Sequence, residues 1–126
     1  MSASSPHALS AAFASAINAR DVEGALELWI EDAAILGPDG QAVRGRDAIA
    51  DALHALVDNG ANVQVEVAEL FIAGDVALGM GTLTLSGSDS EGSPYTQQSR
   101  SVITYLRCPD GYWRVAIDAP WGLPSA

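Results

Sequence analysis

Ser101 to Gly122 reads SVITYLRCPDGYWRVAIDAPWG, a pattern of two strands around a tight turn. Pro109 presets φ, Asp110 can bond to nearby backbone, and Gly111 takes a positive φ at no steric cost. The flanks, Val102 to Leu106 and Trp113 to Ile117, are rich in the β-branched and aromatic side chains that suit a pleated, half-buried surface. Asp118, Pro120, Trp121 and Gly122 follow. A carboxylate close to an indole, just past a hydrophobic strand, is the most suggestive chemistry in the chain and points to a pocket.

Working back from this hairpin, Tyr95 to Arg107 reads as one long strand, and Ser86 to Pro94 (SGSDSEGSP) as a polar loop. Val76 to Leu85 is a second long strand. Val76, Leu78, Met80, Thr82 and Thr84 fall on one face, and Ala77, Gly79, Gly81, Leu83 and Leu85 on the other. Two glycines on one face predict a bend or the close approach of another element. Ala73-Gly74-Asp75 is a turn, preceded by a strand in which Val63, Val65 and Val67 alternate with Gln64 and Glu66.

Before Asn62 the period changes to that of helices. Leu9, Phe13 and Ile17 define a face over about 7–19, with Ser4, Ser5 and Pro6 as its start signal. Asp21 caps a second helix, about 22–30, which buries Ala25, Leu26, Trp29 and Ile30. Ala33 to Leu36 and Gln41 to Val43 make a small hairpin around Gly37-Pro38-Asp39-Gly40. Ile49, Leu53, Leu56 and Val57 mark a third helix, stopped at Asn59-Gly60. Helices first and then four long antiparallel strands give an α+β layout, with the helices on one face of a sheet.

The 126 residues read as one domain, with 1–5 expected to be disordered. Six arginines, no lysine and 16 acidic residues give a net charge of −10, which argues against nucleic acid and anionic membrane surfaces as partners. No apolar run approaches the ~20 residues of a membrane span. The single cysteine, Cys108, allows no internal disulfide and fits a reduced, cytoplasmic setting. A small neutral or weakly polar ligand suits this balance better than a phosphate-rich one.

The stretches ALELWIEDAA (Ala25 to Ala34), GRDAIADAL (Gly45 to Leu53) and DGYWRVAIDAPWG (Asp110 to Gly122), in this order of elements, resemble the SnoaL-like branch of the nuclear transport factor 2-like superfamily. The resemblance covers nearly the whole chain. It implies a strongly curved, mostly antiparallel sheet wrapped around three N-terminal helices as a cone, with a pocket at the open end and a homodimer through the outer sheet face. The superfamily includes ketosteroid isomerase, scytalone dehydratase, polyketide cyclases, and non-catalytic transport and assembly domains, so function has to be argued from the site.

Asp118 is the candidate catalytic base. By strand alternation it shares a face with Arg114 and Ala116, opposite Trp113, Val115 and Ile117. A carboxylate in apolar surroundings has its pKa raised toward neutrality, which suits proton transfer beside a carbonyl. The alternative is a structural Asp bonded near the strand end. Trp29 and Trp121 are candidate ligand-binding walls, although ordinary core packing is the better account of Trp29. Met80, Thr82, Arg100 and Thr104 lie on two strands expected to be neighbours and are candidates to line the cone. Arg100 could pair with Asp118 or hold a ligand carboxylate, or could simply face solvent. His7 and His54 are the only histidines, with no metal-binding spacing, so neither a metal nor another cofactor is expected. The tyrosine and second acid that accompany the base of ketosteroid isomerase have no assigned counterpart, Tyr95, Tyr105 and Tyr112 all falling on late strands. The expected function is a pocket for a small, largely apolar organic molecule, with cofactor-free isomerisation, cyclisation or dehydration as the chemistry. A non-catalytic dimeric ligand-binding or association module is the alternative.

Overall fold

The computed structural model describes residues 2–37 and 39–122. Its elements run α1 (Pro6–Asn18), α2 (Val22–Leu26), β1 (Trp29–Leu36), β2 (Ala42–Arg44), α3 (Arg46–Asp58), β3 (Asn62–Ala73), β4 (Val76–Ser88), β5 (Pro94–Arg107) and β6 (Trp113–Ala119). The strands form a six-stranded sheet in the order β2-β1-β6-β5-β4-β3. Every pairing is antiparallel except β1 with β6, which is parallel. The expected α+β architecture is present.

The helices are positioned by their ends. Ser5 Oγ accepts from the Ala8 N–H at 3.1 Å and so caps α1. At the other end, the Asn18 side chain makes a two-way pair with Val63, donating to its carbonyl at 2.9 Å and accepting from its N–H at 2.7 Å. Arg20, at a φ of 63°, carries its guanidinium to the carbonyls of Gly60 and Ala61. These contacts fix α1 against the start of β3, and Leu9 and Ile17 are fully buried against the inner face of the sheet.

Two expectations need correction. The second helix stops at Leu26, and Trp29 and Ile30 begin a strand instead. The Leu28 carbonyl accepts from Val115 N–H at 2.8 Å, so the backbone here is claimed by β6, and an aromatic followed by a β-branched residue suits that state. Near the start of the chain, Ala3 is buried and its carbonyl accepts from Trp113 N–H at 2.9 Å. The loop expected over Ser86 to Pro94 shrinks to a tip, because Ser86, Gly87 and Ser88 pair with Thr96, Tyr95 and Pro94. Asp89 Oδ1 closes that tip by accepting from the N–H groups of Glu91 and Ser93. In the expected turn at Gly37 to Gly40, Pro38 lies outside the described residues.

The glycines of β4 do mark a close approach. A Cβ on Gly81 would lie 1.7 Å from the Glu66 carbonyl oxygen, so no side chain fits there. Next to it, β3 carries an extra residue between Val67 and Glu69. Bulge and glycine together let β3 fold tightly over β4 on the helix-facing side. That side buries Val63, Ala77, Leu83, Ile103, Tyr105, Trp113 and Val115.

Candidate functional site

Between the helices and the inner face of the sheet lies a cavity of about 200 Å³. Leu9, Ser10 and Phe13 of α1 and Leu53 and Leu56 of α3 close it on one side. Leu83, Ile103 and Val115 cover the sheet side, and Trp29 begins β1 at its wall. Trp29 is 4% exposed and meets Phe13 edge-on, with ring centroids 5.9 Å apart. Asp118, Pro120 and Trp121 line the cavity where β6 ends. Ser99 Oγ donates to the Pro120 carbonyl at 2.6 Å, and Gly122 N–H to the Ala119 carbonyl at 3.0 Å. These bonds hold the turn that carries Trp121.

Asp118 reaches the cavity by a route that simple alternation misses. Thr104 pairs with Ile117, whereas Tyr105 pairs with Val115, so Ala116 is an extra residue in β6. A bulge of this kind reverses the parity of everything beyond it. Asp118 therefore joins Val115 on the inner face instead of opposing it, and Ile117 is turned out with 52% exposure.

The carboxyl of Asp118 is unusually placed. The residue as a whole is half-buried, yet Oδ1 is shut off from solvent and has no hydrogen-bond partner among the described residues. Burial pushes its pKa up to about 7, because the charged form loses hydration and gains no compensating donor. A group that titrates near neutrality can accept a proton and return it under ordinary conditions. Trp29 Nε1 is likewise buried without a partner.

A second polar pair sits beside the cavity. Ser10 and Tyr105 are both buried, and their hydroxyls are hydrogen-bonded at 2.8 Å. Burial pushes the Tyr105 pKa up, the Ser10 bond draws it down, and the nearby Asp118 carboxyl raises it again. Gly79 makes room for this ring, since a Cβ there would lie 3.0 Å from its edge. The buried Ser101 adds a hydroxyl to the lining. None of these three was singled out from the sequence as a site residue. The available signal was alternation along β5, where Ser101 and Tyr105 share the face of Ile103.

Four expected site residues lie on the other side of the sheet. Gly81 and Leu83 face the helices, so Met80 and Thr82 face away, and Thr82 lies in a shallow outer depression with Gln64, Glu66, Thr84 and Gln98. Arg100 pairs with Thr82 and is exposed, while Thr104 pairs with Leu78 on the same outer face. The parity of β4 and β5 separates all four from the cavity and from Asp118. The structure thus brings Trp29, Asp118 and Trp121 together and leaves Met80, Thr82, Arg100 and Thr104 outside.

A chain with this geometry has clear relatives in structure. An NTF2-like protein with a cystatin-like fold from Novosphingobium aromaticivorans is 25% identical, covering 88% of this chain and 75% of its own, with a TM-score of 0.74. A ketosteroid isomerase-like protein from Erwinia carotovora atroseptica superposes with a TM-score of 0.76 at 17% identity, over 90% of this chain and 89% of its own. A proposed calcium/calmodulin-dependent protein kinase type II association domain from Thiobacillus denitrificans gives 0.73 at 23% identity, over 91% and 92%. The last two likenesses speak to the fold alone. No curated protein sequence matches the chain. The model of the SnoaL-like domain matches residues 10–116, and the chain therefore belongs to the SnoaL-like family, within the nuclear transport factor 2-like superfamily.

Proposed function

We propose that this protein binds a small, largely apolar organic molecule in the cavity and moves a proton on it without a cofactor, with Asp118 as the base. The observation that carries this reading is the Asp118 carboxyl, which lines a largely apolar cavity and has one oxygen, Oδ1, buried without a partner among the described residues. A carboxylate kept there costs stability, and proton transfer is the use that such an elevated pKa serves best. In the step, the Asp118 carboxylate takes a proton from the carbon next to a ligand carbonyl. The C–H electrons form the enolate, and the negative charge develops on the carbonyl oxygen. Returning the proton to a different carbon gives isomerisation. Attack of the enolate carbon on a second carbonyl, whose oxygen takes the proton back from Asp118, gives cyclisation, and loss of a β-hydroxyl as water, carrying off that proton, gives dehydration. Trp29 and Trp121 form walls, and Ser101 and the Ser10–Tyr105 pair are the polar groups nearest the chemistry, in the place first expected for Arg100 and Thr104.

Hydrogen–deuterium exchange tests this reading. Small cyclic ketones are incubated with the protein in D2O, and loss of the α-proton signal is followed by NMR. Exchange above the buffer rate is expected, falling by roughly 10²- to 10⁴-fold in Asp118→Asn. Exchange at the buffer rate for wild-type protein across the ketones would sink the enzyme reading.

A specific observation also favours association of two copies. Phe71, Leu78, Thr104 and Ile117 pair in sequence across β3, β4, β5 and β6, making one row on the outer face. Phe71 is 57% exposed, Ile117 52% and Leu78 38%. A row of large apolar side chains on a sheet face suits a homodimer. Light scattering is expected to give a dimer for wild type and a monomer for Leu78→Asp, and a monomeric wild type at tens of micromolar would count against it. The free Cys108 is in keeping with a reducing, cytoplasmic setting.

A further inference from the structure

Among the described residues, Asp118 is the only charged side chain in the cavity lining. Its partners on the two neighbouring strands are Ile35 and Ile103, so β1 and β5 both set hydrocarbon beside it. The six arginines are placed elsewhere. Arg20 and Arg46 donate to backbone carbonyls, Arg107 and Arg114 bind Asp75 and Asp110, and Arg44 and Arg100 are exposed. The chain has no lysine, and α1 and α3 line the cavity with no titratable side chain. The nearby titratable group is Tyr105 of β5, whose hydroxyl is bonded to Ser10 and whose pKa burial raises, so it stays neutral. Buried charges in proteins are paired, and here the chain brings no cation to the carboxylate that it takes out of water.

We infer that the cavity binds a protonated primary amine carried on a single hydrocarbon ring, with its ammonium group paired to the Asp118 carboxylate. This goes beyond the proton-transfer reading, from which it takes only the pocket. Oδ1 is shut into the wall, so contact falls to Oδ2, which is not closed off in that way. The carboxylate charge is shared by both oxygens, and a cation at one compensates both. A bond from N–H⁺ to a carboxylate is roughly twice as strong as a neutral one, and the apolar lining strengthens it further. Phe13, Trp29 and Trp121 add aromatic walls, which favour a cation over a neutral group of the same size. An anionic ligand would instead meet an unpaired carboxylate in a chain with a net charge of −10. Size follows from the volume. A cavity of ~150 Å³ accepts benzene and drug-sized sites begin near ~300 Å³, which places about 200 Å³ at one ring with a short substituent. An ammonium seated on Asp118 also occupies the proposed base, so such amines compete with ketones for the site.

Calorimetry with benzylamine and benzyl alcohol, at pH 8 and pH 6, tests this. The two probes share ring and length and differ only in CH2NH3⁺ against CH2OH. At pH 8 the amine is expected to bind about tenfold tighter, the difference between a charge-assisted and a neutral hydrogen bond. With its pKa at about 7, Asp118 passes from about nine-tenths charged at pH 8 to about one-tenth at pH 6. The amine should therefore lose about tenfold in affinity between the two, while the alcohol changes by less than about twofold. In Asp118→Asn the amine should lose both its advantage and its pH dependence; the wild-type comparison decides the matter if that variant does not fold. Equal affinities at pH 8, or an amine affinity that does not fall at pH 6, overturn the inference and leave the proton-transfer reading standing. Failure of both probes to bind overturns the inference and the pocket together. Binding of the amine with the expected pH dependence, in a protein that exchanges no α-proton of a ketone, supports the inference and removes only the catalytic role of Asp118.

Discussion

The two faces of strands β4, β5 and β6 are built from the same stretches of sequence, with opposite consequences. The inner face has Leu83, Ile103, Val115 and Asp118 around the cavity, with Gly79 and Gly81 where space runs out. The outer face has Met80, Thr82, Arg100 and Thr104. On paper the outer set looks more like a site, since it offers hydroxyls, a thioether and a guanidinium. The inner set has less polarity but removes it from water, and it is there that a carboxyl pKa rises to about 7. Chemistry in this fold depends more on the face a residue occupies than on how many polar groups a strand contains.

The largest expected effect comes from breaking the bend that separates the faces. Gly81→Val places a side chain where a Cβ already lies 1.7 Å from the Glu66 carbonyl. β3 must then leave β4, at a cost of about 4 kcal/mol or more, enough to abolish folding at 37 °C. Thr82→Val, one residue along on the outer face, is expected to stay within ~0.5 kcal/mol of wild type in urea unfolding. Similar losses in the two variants would mean that the glycine is not where the sheet turns.

Asp118→Asn comes next, and its sign depends on pH. The folded pKa of about 7 lies above the ordinary carboxylate value of 3.8, so the folded state binds this proton more tightly than the unfolded chain does. Wild-type stability therefore falls as pH rises from about 4 to about 7, by up to about 4 kcal/mol at this one site. Asn cannot ionise. The variant is expected to match wild type near pH 4 and to exceed it at pH 8, while losing α-proton exchange. A variant less stable than wild type at pH 8 would mean that the carboxylate has a favourable partner.

Gly81 and Asp118 also mark what was legible in the sequence and what was not. The glycine pair in β4 could be read directly, because two missing side chains on one strand face leave a gap that a bend or a close neighbour must fill. The α+β order, α1, α3 and the hairpin around Pro109-Asp110-Gly111 were equally clear, since each has both periodicity and a boundary residue. Asp118 was identified as the key carboxylate, but alternation put it on a face with Ala116 and Arg114. Ala116 is a bulge residue, and nothing in VAID distinguishes a bulge from a regular strand. For Met80, Thr82, Arg100 and Thr104 no bulge intervenes. There the periodicity grouped the residues correctly, as Met80 with Thr82 and, across the pairing, Thr82 with Arg100. What periodicity cannot say is which group meets the helices, because that depends on contacts with distant segments. The extent of the second helix differs for a third reason: residues 22–30 have an apolar pattern that fits a helix or a helix followed by a strand, and pairing with β6 decides it.

A smaller effect probes the polarity that the inner face does keep. Ser10→Ala leaves the Tyr105 hydroxyl buried without its 2.8 Å partner and is expected to cost ~1–3 kcal/mol. Adding Tyr105→Phe removes the orphaned group, so the double variant should be no less stable than Ser10→Ala alone, and a more stable one would show the relief directly. Strict additivity in this cycle would mean that the two hydroxyls do not depend on each other. Neither change is expected on the outer face, where Gln98 Nε2 donates to Thr84 Oγ1 at 3.2 Å in an exposed position and water replaces either partner.

The smallest expected effect is the sharpest test of the division itself. Arg100 is a strong polar candidate by sequence, being a planar cation on a long strand in a chain with ten more acids than bases. It pairs with Thr82, lies exposed on the outer face, and its strand neighbours Ser99 and Ser101 point the other way. Arg100→Gln should change stability by ~0.5 kcal/mol or less and ketone affinity by less than about twofold, since screening and distance weaken any influence on the cavity. Ser101→Val, the adjacent residue on the inner face, removes a hydroxyl from the lining and is expected to change ketone affinity measurably. If Arg100→Gln instead abolished binding while Ser101→Val did not, ligand recognition would belong to the outer face, and Asp118 would have to be read as a structural acid.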